Sequence, residues 1–267
     1  MRTTLRKTGG PVHGVPVTAE RLGLKGPRGW AFRGISLDAG PGTLIAVEGP
    51  SGSGRTCLLL ALTGRMRATE GTATVGGARL PNQLAAVRRI SAVANVAGVT
   101  DLEPALTVGE HLRERALLQR RFGDSLRALL RPRAEKGAQA RQLTNDALAA
   151  AGLDLEALPK GARTAVRDLE RIEALRLSVA LALVGKPRLL AVDDADLKLS
   201  AAERTEVREL LTSIAAAGTT VVAVCGEALE GAVVVRTGTA QEEETGMPEG
   251  TGTGEEARDA LTATGRA

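Results

Sequence analysis

The stretch "TLIAVEGPSGSGRTCLLLALTG", Thr43 to Gly64, constrains this chain more than any other. An apolar run, a glycine-punctuated loop and a second apolar run follow one another without a gap. The first run reads as a central strand, and the last as a buried helix closed by Gly64. The loop between them is Gly49, Pro50, Ser51, Gly52, Ser53, Gly54, Arg55 and Thr56. It matches the phosphate-binding pattern G-x-x-x-x-G-K-[ST] except at the seventh position, where Arg55 stands in place of lysine. Glycines let such a backbone curl without Cβ clashes. The loop amides then converge at the positive end of the following helix, where an anion is stabilised. In that pattern the Thr56 hydroxyl meets Mg²⁺ and the basic residue reaches the terminal phosphates. The plainer alternative is a tight strand-to-helix turn with no ligand.

A second constellation, "PRLLAVDDAD" (Pro187–Asp196), is an apolar strand ending in carboxylates. It delivers Asp193 and Asp194 to the C-terminal end of a strand, where ligands of open α/β sheets gather. One carboxylate would assist Mg²⁺ and the next would polarise water; a strand-end acid pair without metal is the competing reading.

Strand signals also fall at Val15–Leu22, Trp30–Gly40, Gly71–Leu80, Arg89–Asn95, Thr219–Gly226 and Gly231–Gly238, with helices at Leu175–Gly185 and Ala201–Gly218. From about Val96 to Asp168 helical signals take over. Thr107 and Glu110 have the spacing of a capping box, and "TNDALAAAGLD" reads as a further helix. Nine basic residues against three acidic lie between Leu112 and Arg141, which makes either a solvated helix face or a docking surface. The organisation expected is a loose lead-in over 1–14, an α/β domain over 15–237 with a helical subdomain over about 96–170, and an acidic tail over 238–267.

Composition sets limits. Apolar residues are 43% and charged residues 25% of the 267, as in globular proteins. Aromatics are 1%: Trp30, Phe32 and Phe122. The core must be aliphatic, and stacking of single-stranded bases is poorly supplied, so no nucleic-acid partner is expected. The tail from Gly238 carries seven acids and two arginines and is too poor in bulky apolar residues to fold alone. The overall charge is +4, so +9 falls on the rest of the chain. Cys57 and Cys225 lie in apolar segments without metal or redox spacing and read as free thiols of a reducing compartment. No apolar run reaches the ~18 residues of a membrane span, and "MRTTLRKTGG" lacks the apolar core of a secretory signal.

The order of these landmarks resembles the ATP-binding subunit of ABC transporters. "GISLDAGPGTLIAVEGPSGSGRTCLLLALTGR" is similar to that family's run through its phosphate loop, "LTVGEHL" to the segment after its glutamine loop, and "DALAAAGLDLEALP" to the approach to its signature motif. "LALVGKPRLLAVDD" resembles the helix and strand that carry its magnesium and catalytic acids. The likeness spans about Val15 to Gly238. It implies a P-loop NTPase of the cassette type, α/β with a mixed sheet core and an inserted helical subdomain. It further implies a dimer, with itself or another cassette, that sandwiches ATP and Mg²⁺. A membrane-spanning permease partner and a cytoplasmic place at the membrane's inner face follow from the same likeness. An unrelated P-loop enzyme such as a small-molecule kinase leaves "LTVGEHL" and "LALVGKPRLLAVDD" unexplained.

Carried over residue by residue, the resemblance implies nucleotide contacts from Gly49 through Cys57, and from Asn95 in the place of the family's glutamine. It implies Mg²⁺ on Thr56 and Asp193, and Asp194 as a weakened general base. Departures are numerous. Arg55 replaces lysine, and Asp194 replaces a glutamate. "LERIE", Leu169, Glu170, Arg171, Ile172 and Glu173, stands for the signature L-S-G-G-Q. Ser200 falls where an aspartate is usual, and Gly226 where the family has a histidine. Gly26 lies near the place of an adenine-stacking aromatic; the nearby Trp30 could substitute for it, with a plain core or surface tryptophan as the alternative. Asp is shorter than Glu by about 1.5 Å, and a misplacement of roughly 1 Å costs on the order of a hundredfold. Glu170 would aim negative charge at a partner's γ-phosphate. The expectation is a subunit that binds ATP and hydrolyses it weakly; the alternative is a non-hydrolysing regulatory or scaffold module of the same fold.

Overall fold

The structure is a computed structural model that describes residues 13–123, 133–226 and 230–238. Most of the lead-in, nearly all of the acidic tail and Phe122's side chain lie outside the described residues.

The chain opens with a hairpin, β1 (Val17–Gly26) and β2 (Gly29–Ala39), and proceeds to β3 (Leu44–Glu48). The loop of interest leads from β3 into α1 (Arg55–Leu62). A second hairpin, β4 (Glu70–Val75) and β5 (Ala78–Leu80), turns at Gly76-Gly77. Next come α2 (Leu84–Ile90) and β6 (Ser91–Ala94). The described chain between β6 and residue 170 is helical or irregular: α3 (Val108–Gly123), α4 (Arg133–Ala150) and two single 3₁₀ turns. It closes with α5 (Arg171–Leu183), β7 (Leu189–Val192), α6 (Ala201–Ala216), β8 (Thr220–Val224) and β9 (Val233–Arg236).

Strands of both polarities are present, in two sheets. One is antiparallel in the order β2-β1-β4-β5; the other is parallel in the order β6-β7-β8-β3-β9. The continuous apolar runs of β3, β7 and β8 follow from burial on both faces. Leu44, Ala46, Leu190, Val192, Val221 and Ala223 pack on one side, with α5, α6 and the helical insertion. Ile45, Val47, Leu189, Ala191, Val222 and Val224 pack on the other, with α1 and the antiparallel sheet. This sandwich brings the C-terminal ends of β3 and β7 to one edge, with β8 between them.

Some boundaries differ from the sequence expectation. The strand expected from Arg89 begins at Ser91, because Arg89 and Ile90 finish α2, a helix with no clear signal of its own. The helix expected from Leu175 starts four residues earlier, inside "LERIE". Glu170 is its N-cap, and the Glu173 carboxylate accepts the Glu170 N–H at 2.8 Å, which satisfies a donor that a helix start otherwise leaves open. The helix around "TNDALAAAGLD" reaches back to Arg133. The expected Thr107–Glu110 box forms: Glu110 accepts from the Thr107 N–H at 2.8 Å and hydroxyl at 2.7 Å.

Candidate functional site

The loop after β3 starts from a buried strand whose last residue, Glu48, is followed by Gly49 at φ 149°. A Cβ on Gly49 would collide with the hydroxyl and carbonyl of Thr237. Gly54, at φ 83°, is the N-cap of α1, and a Cβ there would collide with the Ala31 carbonyl. Both positions therefore demand glycine for space as well as for backbone angle. No side chain caps α1, and its first turn carries no acid. The N–H groups that open the helix are left for an anion. Ser51 and Gly52 are exposed at the crest of the loop, whereas Ser53 is buried.

The two constellations meet. The Thr56 hydroxyl donates to Asp193 Oδ2 at 2.7 Å, joining α1 to the end of β7. Asp193 is 3% exposed, and its other oxygen, Oδ1, has no hydrogen-bond partner among the described residues. Burial raises its carboxyl pKa above the ordinary value; the Thr56 hydrogen bond pulls the other way, and the Asp194 charge adds to the rise. The Arg55 charge also favours the ionised form, and the site is thus a buried carboxylate with one oxygen bonded and one without a hydrogen-bond partner among the described residues.

Arg55 is turned toward that same end. Its guanidinium lies 3.8 Å from Asp194 Oδ1, so the basic residue of the loop and the candidate base pair with each other. Asp194 has φ 42° and Asn95 φ 57°, two non-glycine residues in the left-handed region at the ends of adjacent strands. Asn95 Nδ2 donates to the Asp193 carbonyl at 2.9 Å, and the Asn95 N–H donates to Ser178 Oγ at 2.7 Å. The Asn95 amide is therefore held against the acid pair by the protein itself.

The departures from the expected motifs acquire physical partners. Ser200 caps α6: its Oγ accepts the Glu203 N–H at 3.3 Å, and Glu203 accepts the Ser200 N–H at 2.7 Å. The Gly226 N–H donates to Asp196 Oδ2 at 2.7 Å, and that carboxylate lies beside the space a side chain at 226 would enter. In "LERIE", Ile172 is buried in the core and Arg171 Nε donates to the Leu197 carbonyl at 2.6 Å. Trp30 packs over Gly23, with Arg33 at 4.6 Å and Lys25 at 5.5 Å from its ring centroid. Its faces are engaged by cations, and it is Ala31 that abuts the loop. Sequence reasoning placed Asp196 among the strand-end carboxylates without giving it a partner, and missed Thr237, which belongs to no motif that a single chain displays.

Cys57 lies in the first turn of α1, half-buried, and Cys225 is 2% exposed. Burial, reinforced by Asp193, raises the Cys57 thiol pKa. Burial, with Asp196 and Glu48, pushes Cys225 up to about 12. Alkylation of the native protein with iodoacetamide near neutral pH is expected to be slow at Cys57 and to reach Cys225 only on unfolding. Peptide mass spectrometry before and after denaturation checks this.

Comparison with known proteins agrees with the geometry. The family model described as ABC transporter matches residues 32–196. The chain is 34% identical over 214 residues to the "Fe(3+) ions import ATP-binding protein FbpC" of Streptomyces avermitilis, covering 76% of this chain and 55% of that one. It is 30% identical over 187 residues to the "Nod factor export ATP-binding protein I" of Cupriavidus metallidurans, covering 70% and 55%. The chain thus spans about half the length of these curated relatives. Among solved structures, a dimeric ATP-binding cassette in a post-hydrolysis state with ADP and Pi superposes with TM-score 0.62 at 19% identity, covering 84% of this chain and 96% of that one. The cbiO1 protein of Clostridium perfringens, part of the ABC transporter complex cbiONQ, gives TM-score 0.62 at 17% identity, covering 79% and 78%. With the loop, the acid pair and the two-sheet fold already in place, these matches show that the chain belongs to the ABC transporter family, as one of its ATP-binding domains.

Proposed function

We propose that the chain binds ATP with Mg²⁺ on the Gly49–Cys57 loop and hydrolyses it slowly, as the cassette subunit of a transporter whose membrane-spanning part is a separate chain. The observation that carries this is the Thr56–Asp193 hydrogen bond of 2.7 Å with Asp193 Oδ1 left unpartnered beside it. A hydroxyl and a buried carboxylate are hard oxygen donors that suit Mg²⁺, which takes its remaining ligands from phosphate and water. The described residues hold no group of three or more His, Cys, Asp or Glu side chains arranged for a metal, so the loop and a bound nucleotide would complete the shell. Bound magnesium supplies charge neutralisation for the phosphates. Arg55 holds the terminal phosphates, the Asn95 amide fixes the Asp193 main chain, and Asp194 is the short-armed candidate base.

A second reading, a non-hydrolysing regulatory module, is favoured by Gly226. Its position offers no side chain to a γ-phosphate, and its amide is already bonded to Asp196. Titration of ATP with and without Mg²⁺, then an ATPase assay alone and with any co-encoded permease, separates the two. Binding that tightens with Mg²⁺ and slow turnover that rises with the permease supports the first. Brisk turnover by the isolated chain overturns the account of the degenerate motifs. No detectable ATP binding overturns the phosphate cradle.

The Arg55–Asp194 pair adds an expectation. Asp194→Asn should tighten ATP by about threefold, since it releases the guanidinium and removes a like charge from the phosphates. Equilibrium titration of the two proteins side by side checks it; weaker binding would show that the pair does not compete with nucleotide.

The permease, the dimeric state and a place at the inner membrane face rest on the family. No helix among the described residues is long and apolar enough to cross a membrane, and the exposed Val99 and Leu118, which line one cavity, offer a docking face. That cavity, of about 450 Å³, is also lined by Arg65 and Arg115. Of the basic stretch over 112–141, Arg113 and Arg141 are exposed.

A further inference from the structure

We propose that Thr237, at the end of the last described strand, is a positioning residue for the phosphate loop, which it staples shut from outside every recognisable motif. The proposal rests on the reading of that loop as a nucleotide cradle.

The geometry is specific. β9 pairs with β3 in parallel, Glu48 opposite Arg236, and so delivers Thr237 to the root of the loop. Thr237 is 2% exposed. Its N–H donates to the Glu48 carbonyl at 2.8 Å, and its hydroxyl lies 3.0 Å from the same carbonyl. The hydroxyl is also 2.6 Å from Ser53 Oγ.

The donors can be assigned. A threonine hydroxyl has one proton; of its two neighbours the Glu48 carbonyl can only accept, whereas the Ser53 hydroxyl can also donate, so one arrangement satisfies both contacts at once. Thr237 therefore donates to Glu48, and Ser53 donates to Thr237. One side chain thus joins the residue before the loop to a residue near its end. It sets the span across which Gly49–Gly54 must curl. Gly49 is glycine because Thr237 fills the space its Cβ would take. Ser53, its proton committed to Thr237, serves the loop's shape instead of donating to phosphate.

Burial of this pair gives the hydroxyl bonds their leverage. Ser53 and Thr237 are each 2% exposed, so water does not replace a lost partner, and the orphaned hydroxyl must move to find one. The loop backbone is what can move, since β3 and β9, from which Ser53 and Thr237 depart, are held in register with each other.

The test uses the full chain and three substitutions. Thr237→Val keeps the shape and removes the hydroxyl; Thr237→Ser keeps the hydroxyl; Ser53→Ala removes the bond from the loop side. ATP affinity is measured by calorimetric titration, and the nucleotide-free melting temperature by circular dichroism. Ser53→Ala should weaken ATP by about tenfold and Thr237→Val by at least as much, since it also removes the hydroxyl contact to Glu48; the double variant should be no weaker than Thr237→Val alone, because the Ser53–Thr237 bond is shared. Thr237→Ser should bind within about twofold of the unmodified protein. Inorganic triphosphate should lose affinity by the same factor as ATP, because the staple acts on the phosphate cradle. A merely structural residue would lower the melting temperature and leave these ratios unchanged, and that result overturns the proposal. So does additivity in the double variant. Should Thr237→Val fail to fold, the Ser53→Ala and Thr237→Ser results decide it in the same way. Absence of ATP binding by the unmodified protein overturns the cradle reading, and the staple with it; normal binding by both the unmodified and Val proteins overturns the staple alone.

Discussion

Replacing Asp193 by alanine is expected to abolish the magnesium dependence of ATP binding and to cost about a hundredfold in affinity at saturating Mg²⁺, the size of a lost charge-assisted contact of about 3 kcal/mol. The prediction follows from three features of one side chain. Asp193 is buried, one of its oxygens is held by Thr56, and the other is unpartnered. Titration with EDTA and with Mg²⁺ in excess checks it; an unchanged magnesium response would place the metal elsewhere. The same side chain sets a pH dependence. Burial raises its carboxyl pKa, so the folded state holds the proton more tightly than the unfolded one. Stability is then greatest at and below the ordinary carboxyl pKa and is lost as pH rises through the raised value. In nucleotide-free protein with EDTA, Asp193→Asn should remove that part of the slope. It should also melt about 2–4 °C higher than the unmodified chain at neutral pH, if relief of the burial cost is about 1 kcal/mol. Thermal melts from acid to neutral pH test the sign directly.

Gly54→Ala is expected to have the larger effect on the fold itself. The residue has φ 83°, and an added Cβ would collide with the Ala31 carbonyl and stand 3.2 Å from Phe32 Cβ. The left-handed angle costs about 1–2 kcal/mol, and forcing β2 away from the loop adds about 1–3 kcal/mol. Together they take a large share of the stability of about 5–15 kcal/mol usual for a domain. Gly52→Ala is the matched control: its φ is 82°, but nothing lies within 4 Å of the added carbon. A melting temperature about 10 °C lower for Gly54→Ala, with a much smaller drop for Gly52→Ala, is the expected outcome. Equal drops would show that the backbone angle, and not the contact with β2, governs the loop.

Much of the cassette was legible because it is written locally. The apolar runs that become β3, α1 and β7 declare burial on both faces. The glycine spacing declares a loop that must curl, and the pair Asp193-Asp194 declares acids at a strand end. The Thr107–Glu110 box was readable for the same reason, since both partners lie within one helical turn. The start of α5 was harder. The sequence from Glu170 to Glu173 reads as a spoiled signature, whereas the folded chain uses it to begin a helix four residues early. Helix α2 was missed because seven residues, Leu84–Ile90, are too few to establish a period. Trp30 was left open between adenine platform and packing, and no local pattern tells which face of a hairpin tip will meet Arg33 and Lys25.

The sequence alone therefore determined most of the element types, α2 excepted, the phosphate-loop grammar and the family likeness, since each depends on covalent neighbours and on side-chain periods of a few residues. Tertiary structure decided the pairings that would give the loop its chemistry. Thr56 meets Asp193 across 137 residues, and Ser53 meets Thr237 across 184. Arg55 finds Asp194, and Asp196 takes the Gly226 amide. Such contacts come from the order in which strands enter a parallel sheet, which gathers strand ends, and the helix that follows β3, at one edge whatever their separation in the chain.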